Sequence, residues 1–118
     1  MSDDEVVEKW EVQLRKGSLE LAILASLWSG KLYGLEILRT LESDSRLLVS
    51  EGTIYPLLSR LKNLGLVQSE WVESDAGHPR KYYSLTAAGK RRAKEMAQVW
   101  ARFSSSLSEL IAPLREGK

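Results

Sequence analysis

The sequence predicts a mainly helical α+β domain: several helices, then one β-hairpin, then a long terminal helix. Three observations predict it. Apolar residues recur at helical spacing over most of the first 64 residues. Between about 66 and 86 the period changes to two on either side of turn-forming residues. After Thr86 it returns to an unbroken alternation of three and four. At 118 residues and 43% hydrophobic composition, one domain with a modest core is expected, and a second subunit would enlarge that core.

Taken in order, Asp4 to Leu14 read as a short helix, with Val7, Trp10 and Leu14 on one stripe. Gly17-Ser18 is expected to interrupt or cap it. "SLELAILASLW" follows as a strongly apolar helix ending near "SGK", its buried face made of Leu21, Leu24, Leu27 and Trp28. Tyr33-Gly34 opens another short helix, "GLEILRTLE", in which Gly34, Ile37, Leu38 and Leu41 share a face. "SDSR" is a polar turn, and "LLV" reads as a short strand leading to Ser50.

The next segment, "SEGTIYPLLSRLKNLGLV", carries Ile54, Leu57, Leu58, Leu61 and Leu64 at helical spacing. Ser50 suits an N-cap, Glu51 suits the first turn, and Gly65 suits the stop. Pro56 interrupts this pattern by removing the N–H that would bond the Gly52 carbonyl. Two outcomes are open: a helix that starts later than its periodicity, or a slight initial bend that turns Thr53 and Tyr55 outward. "LVQSEWVE" and "RKYYSLT" are strands joined by "SDAGHP", hence a hairpin. Thr86 is the expected N-cap of the last helix, which Pro113 is expected to end. Along it, Ala93, Met96, Trp100, Phe103, Leu107 and Leu110 form a heptad seam narrower than an ordinary core stripe. Such a seam on a terminal helix predicts packing against a second copy of the chain.

Residue types limit the chemistry. There is no cysteine, and His78 is the only histidine, so thiol chemistry is excluded and no metal site is assigned. No Gly-rich phosphate loop occurs, and no pair of carboxylates is placed by spacing into one cleft. No catalytic residue, cofactor or enzymatic activity is therefore expected. No apolar run approaches a membrane span, and the acidic N-terminus is unlike a signal peptide, so a soluble cytoplasmic protein with no membrane partner is expected.

Charge is nearly balanced at +1, but it is unevenly distributed. Ser2 to Gln13 holds five acids against Lys9, a stretch for which no role is assigned. Ser50 to Lys94 holds eight bases against four acids, a local net charge of +4. A basic surface on a neutral protein suits phosphate.

Helices, then a hairpin with a basic tip, then a helix is the plan of a winged helix-turn-helix. In that plan the third helix enters the DNA major groove and the hairpin, or wing, lies on flanking backbone. The outer side of the third helix offers Thr53, Tyr55, Ser59, Arg60, Lys62 and Asn63, groups that contact phosphates and base edges. Ser50, Gly52 and Thr53 lie at its N-terminus, where free N–H groups favour an anion. The wing offers His78, Arg80 and Lys81.

"GSLELAILASLWSGKLYGLEIL", "SEGTIYPLLSRLKNLGLV" and "GHPRKYYSLTAAGK" together resemble the PadR family of bacterial transcriptional regulators. The Gly-Thr-Ile-Tyr-Pro and Pro-Arg-Lys-Tyr-Tyr runs are the specific parts, and the resemblance covers Gly17 to Gly89. The single helix beyond it resembles the short-tailed branch of that family. The resemblance implies a homodimer that binds a pseudo-palindromic site in double-stranded promoter DNA and usually represses. It implies that the first and last helices build the dimer. It implies DNA contact by Ser50, Thr53, Tyr55, His78, Arg80 and Lys81. It also implies release by a small effector in many members. Trp100 matches a position where a multidrug-responsive member has an aromatic facing the dimer cavity. The expected organisation is therefore residues 1–16 as an N-terminal helix in the dimer contact and 17–88 as the winged domain. Within that domain the recognition helix lies at about 50–64 and the wing at about 66–86. Residues 89–118 form the C-terminal dimerisation helix.

Blander readings stand beside these. Tyr55 can cap the core edge, Arg60 and Lys62 can be solvated charges, and the His78, Arg80, Lys81 tip can serve solubility. "KRRAK", residues 90–94, reads better as a solvated face than as a DNA contact. Met96 and Trp100 either pack a dimer core or, paired across a twofold, wall a site for small aromatic, multidrug-type ligands. Trp10, Trp28 and Trp71 read as core or interface residues. The competing function is a winged-helix module that binds protein without specific DNA binding, because a fold does not fix a function.

Overall fold

The computed structural model describes residues 2–43, 47, 49–75 and 77–117. Four helices and three short strands follow one another: α1 (Asp3–Ser26), β1 (Leu32–Tyr33), α2 (Gly34–Glu42), α3 (Glu51–Asn63), β2 (Val67–Val72), β3 (Arg80–Leu85) and α4 (Ala87–Arg115). The structure is mainly helical with a small antiparallel sheet, as the periodicity predicts.

The first two predicted helices are one. α1 runs 24 residues straight through Gly17-Ser18. A lone glycine costs a helix only about 1 kcal/mol. Ser18 does not compete with the helix, since its hydroxyl donates back to the Leu14 carbonyl at 3.0 Å. Ser2 caps the start by accepting from the Glu5 N–H, and three acids in the first turn suit the dipole. Trp28 was expected on the buried face but falls past the helix end and is exposed.

α2 occupies the predicted segment and buries Gly34, Ile37, Leu38 and Leu41. α3 begins at Glu51 and continues through Pro56, so the later start is ruled out. Thr53 and Ile54 N–H groups both reach the Ser50 carbonyl at 3.1 Å, a regular first turn. The stop is a Schellman motif: Leu66 N–H bonds the Leu61 carbonyl, Gly65 N–H bonds the Lys62 carbonyl, and Gly65 takes φ +76°.

β2 and β3 form the predicted hairpin, with Val67 opposite Leu85 and Trp71 opposite Lys81. The sheet has a third strand that the sequence did not announce. β1 pairs with β3 through Leu32 opposite Tyr83 and Tyr33 opposite Tyr82, giving the order β1-β3-β2. The strand expected at "LLV" is not formed at Leu47 or Val49, whose side chains pack against the core instead. Leu48, and most of the predicted "SDSR" turn, lie outside the described residues.

Ile23, Leu24, Ile37, Ile54, Leu58 and Leu61 are fully enclosed at the meeting of α1, α2 and α3. Each contributes about 1.5–3 kcal/mol of burial free energy. Leu66, Val67, Tyr83 and Leu85 close this core from the sheet side. α4 is locked to the domain at its first turn. Thr86 accepts from the Gly89 N–H at 3.0 Å and donates its hydroxyl to the Gly65 carbonyl at 2.6 Å. Gly89 must lack a side chain, because a Cβ there would collide with the Leu66 carbonyl.

α4 then runs 29 residues, past Pro113 to Arg115. The proline was expected to end it, but only two helical residues follow. The one carbonyl it leaves unbonded, that of exposed Glu109, is close to water. α1 and α4 run antiparallel: Ala25 shares a groove with Ala93, whereas Leu14 shares one with Trp100 and Phe103. The first half of α1 and the last half of α4, both largely exposed, are called the arm. The chain spans 58 × 33 × 22 Å with a radius of gyration of 17.0 Å. A compact chain of this length would have about 13.5 Å. Its accessible surface is 8425 Å², where a compact monomer of this mass exposes about 6,450 Å².

Candidate nucleic-acid interface

α3 is closed on one side and open on the other. Ile54, Leu58 and Leu61 are fully buried in the domain. Directly opposite, Gly52, Pro56, Ser59 and Asn63 follow one another at helical spacing, and all four are exposed. The centre of the outward face is therefore small and smooth. Larger groups flank it: Thr53 and Arg60 on one side, Glu51, Tyr55 and Lys62 on the other. The open carbonyl of Gly52 lies on this same stripe, so Pro56 interrupts bonding where solvent or a ligand can replace it.

The flanks are not equally free. Arg60 turns towards α1 and pairs with Glu20 at 3.4 Å, while remaining mostly exposed. Tyr55 is 42% exposed, but its ring lies across Gly34 at the start of α2. A Cβ on Gly34 would come within 2.6 Å of Tyr55 Cε1. The Tyr83 phenol is held above its usual pKa by burial, with a smaller contribution from neighbouring Tyr55. Tyr55 thus bridges α3, α2 and the sheet, so the capping reading and the outward reading both describe part of it. Ser50 sits at the N-cap, but its hydroxyl meets the Thr53 hydroxyl at 3.2 Å instead of a backbone N–H. Ser59 and Lys62 are exposed.

The wing is the hairpin of β2 and β3. On its inner face, Lys81 Nζ stands 5.9 Å from the ring centroids of both Trp71 and Tyr83. Trp71 is 69% exposed, so it is no core residue. On the outer face, Arg80 Cζ lies 4.5 Å from the Tyr33 ring centroid. Tyr33 meets Tyr82 edge-on at 5.5 Å, Lys31 stands 5.4 Å from the Tyr82 centroid, and Lys31 pairs with Glu70 at 3.1 Å. His78 is exposed at the turn, where Gly77 takes φ +84° and its N–H bonds the Ser74 carbonyl.

The structure therefore places Ser50 at the N-cap of α3, Thr53, Tyr55, Ser59 and Lys62 at exposed positions along it, and Arg80 and Lys81 on opposite faces of the hairpin strand β3. Arg60 lies apart, on the α1 side. Sequence reasoning missed Gly52 and Pro56 as outward-stripe residues, although their spacing from Ser59 and Asn63 was there to be read. It also missed Tyr33 and Trp71, whose contacts with the wing cations need the sheet register.

The arm holds the remaining candidates. Val7, Trp10, Leu14, Trp100, Phe103, Leu107 and Leu110 are all exposed in the single chain. Ala93 differs: it is buried in the protomer's own core, with Met96 half-buried beside it. The predicted seam therefore closes internally at its first residue and opens only from Trp100 onward. Met96, Trp100 and Phe103 line one groove of about 570 Å³ between α1 and α4. The Trp100 and Phe103 rings lie 6.5 Å apart.

A sequence profile of the PadR-like family of transcriptional regulators matches residues 23–95, most of the winged domain and the start of α4. The chain belongs to this family. Crystal structures of PadR-like proteins agree with it along nearly their whole length. A PadR-like transcription factor from Bacteroides fragilis is 41% identical, over 86% of this chain and 98% of that one, with a TM-score of 0.70. A PadR family regulator from Eggerthella lenta is 31% identical, over 92% and 94%, with a TM-score of 0.81. A PadR-like regulator from Bacillus cereus is 35% identical, over 84% and 96%, with a TM-score of 0.77. The PadR resemblance of the three sequence runs thus extends to the winged-helix fold, and the protein is a DNA-binding transcriptional regulator. Among the described residues, no helix is long and apolar enough to cross a membrane.

Proposed function

We propose that this PadR-family protein is a cytoplasmic homodimeric repressor that reads a pseudo-palindromic promoter site with α3 and the wing. The observation that carries this reading is the smooth, exposed α3 stripe in a fold whose hairpin also carries cations. Gly52, Pro56, Ser59 and Asn63 let the helix approach a groove floor closely. Ser50, Thr53, Tyr55 and Lys62 at its edges meet phosphates and base edges, and His78, Arg80 and Lys81 meet flanking backbone. Arg60 contributes after exchanging Glu20 for a phosphate. Two copies joined through their arms present two such helices about 34 Å apart, the repeat of the duplex.

The test is fluorescence anisotropy with a labelled duplex from upstream of the protein's own gene. Binding should weaken steeply with salt, because each phosphate contact by Lys or Arg releases counterions. Tyr55, Arg80 and Lys81 replaced together by Ala should abolish it. Unchanged binding in that variant would place the DNA contact elsewhere on the chain, and no specific binding by the native chain would favour a protein-binding winged helix instead.

The groove at Met96, Trp100 and Phe103 supports an effector site for planar aromatic compounds of the multidrug type. Such compounds should quench tryptophan fluorescence and release the duplex. Unchanged affinity for them in Trp100→Ala would reject the site, and loss of the dimer in that variant would assign Trp100 to packing.

A further inference from the structure

Helix and wing must grip one half-site together, yet α3 ends at Asn63 and Arg80 lies beyond a strand and a turn. Their separation is fixed by other parts of the fold. Both halves of the interface rest on two consecutive residues from the start of α2. Tyr33, in β1, pairs with Tyr82 and carries the Arg80 guanidinium on its ring at 4.5 Å. Gly34, the next residue, is buried and seats the Tyr55 ring, which lies where a Cβ would be. The pair is itself anchored, because Glu36 accepts the Tyr33 N–H at 3.1 Å.

We propose that Tyr33-Gly34 is a positioning element that sets the distance between Arg80 on the wing and Tyr55 on the recognition helix. The inference rests on the DNA-binding reading above and deepens it. A guanidinium held over an aromatic ring loses less freedom when it meets a phosphate. An α2 that begins with glycine lets Tyr55 lie close to the sheet, and any larger residue would push it out. Neither Tyr33 nor Gly34 touches DNA in this account. Each acts through one partner.

Two double-mutant cycles test it, using the labelled upstream duplex and, in parallel, thermal unfolding of each variant. Arg80→Ala should weaken binding and lower the slope of log affinity against log salt by about one. Tyr33→Leu should weaken binding about two- to fivefold, as expected for a lost cation–π contact, while Tyr33→Phe keeps it. In an Arg80→Ala chain, Tyr33→Leu should have no further effect on affinity. Likewise Gly34→Ala should weaken binding in the native chain and have no further effect beside Tyr55→Ala. If Gly34→Ala does not fold, the Tyr33 cycle decides. Losses that simply add in the Tyr33 cycle would overturn the inference, because ordinary packing damage does that. If Arg80→Ala leaves affinity and salt slope unchanged, the wing contact fails and the inference fails with it. If Arg80→Ala weakens binding but Tyr33→Leu still adds to it, the positioning inference alone is lost.

Discussion

α3 and the second half of α4 carry similar apolar periodicity and meet opposite fates. In α3, Ile54, Leu58 and Leu61 are sealed by α1, α2 and the sheet. In α4, Phe103 and Leu110 stand 59% and 77% exposed, and Trp10 and Val7 on α1 are each 59% exposed. The contrast teaches that a periodic apolar stripe states that a face will be covered, but not by which chain. The winged half has its cover within the protomer. In the proposed dimer the arm supplies half of a surface, and in the single chain its apolar residues stand exposed.

Mutations should separate the two halves. Leu58→Ala, in the sealed half, should cost about 2–5 kcal/mol in urea unfolding, since it leaves a cavity among fully buried neighbours. A loss near zero would mean that the core is looser than its burial implies. Phe103→Glu, in the arm, should convert dimer to monomer in light scattering while the helical circular dichroism persists. An interface aromatic of this kind is worth about 2 kcal/mol or more. A variant that stays dimeric would place the interface elsewhere. Gly17→Ala, at the border between the halves, should raise stability by about 0.5–1 kcal/mol, because the position is helical and a Cβ meets nothing within 4 Å. A loss of dimer in that variant would show that the partner's backbone approaches Gly17.

What the sequence revealed divides along similar lines. Features set by neighbours in the chain were readable: the α2 face, the start of α3 after Ser50, the Thr86 cap, the Gly65 stop and the hairpin. Two local signals were overread. Gly17-Ser18 did not break α1, because one glycine costs little and Ser18 bonds back into its own helix. Pro113 did not stop α4, because a helix loses only one bond there, close to its exposed end. Non-local features were not readable. β1 is two residues long and exists only because β3 lies beside it. The Arg60–Glu20 pair, the Tyr55 ring on Gly34 and the Arg80–Tyr33 stack each join segments far apart in sequence. The geometry of the candidate interface was therefore only partly legible in the sequence. The outward stripe of α3 centres on Gly52 and Pro56, with Tyr55 at its border.

That geometry also answers what a proline does inside the third helix. Pro56 faces out, next to Gly52 and Ser59, so its missing N–H opens a carbonyl on the solvent side and not in the core. The helix is continuous through it from Glu51.

The most direct measurement is hydroxyl-radical footprinting of the intergenic region upstream of the gene. Two protected patches on one face of the duplex, about ten base pairs apart, are expected, because two α3 helices joined through the arms would enter successive turns of the major groove. A single protected patch, or none, would contradict that arrangement.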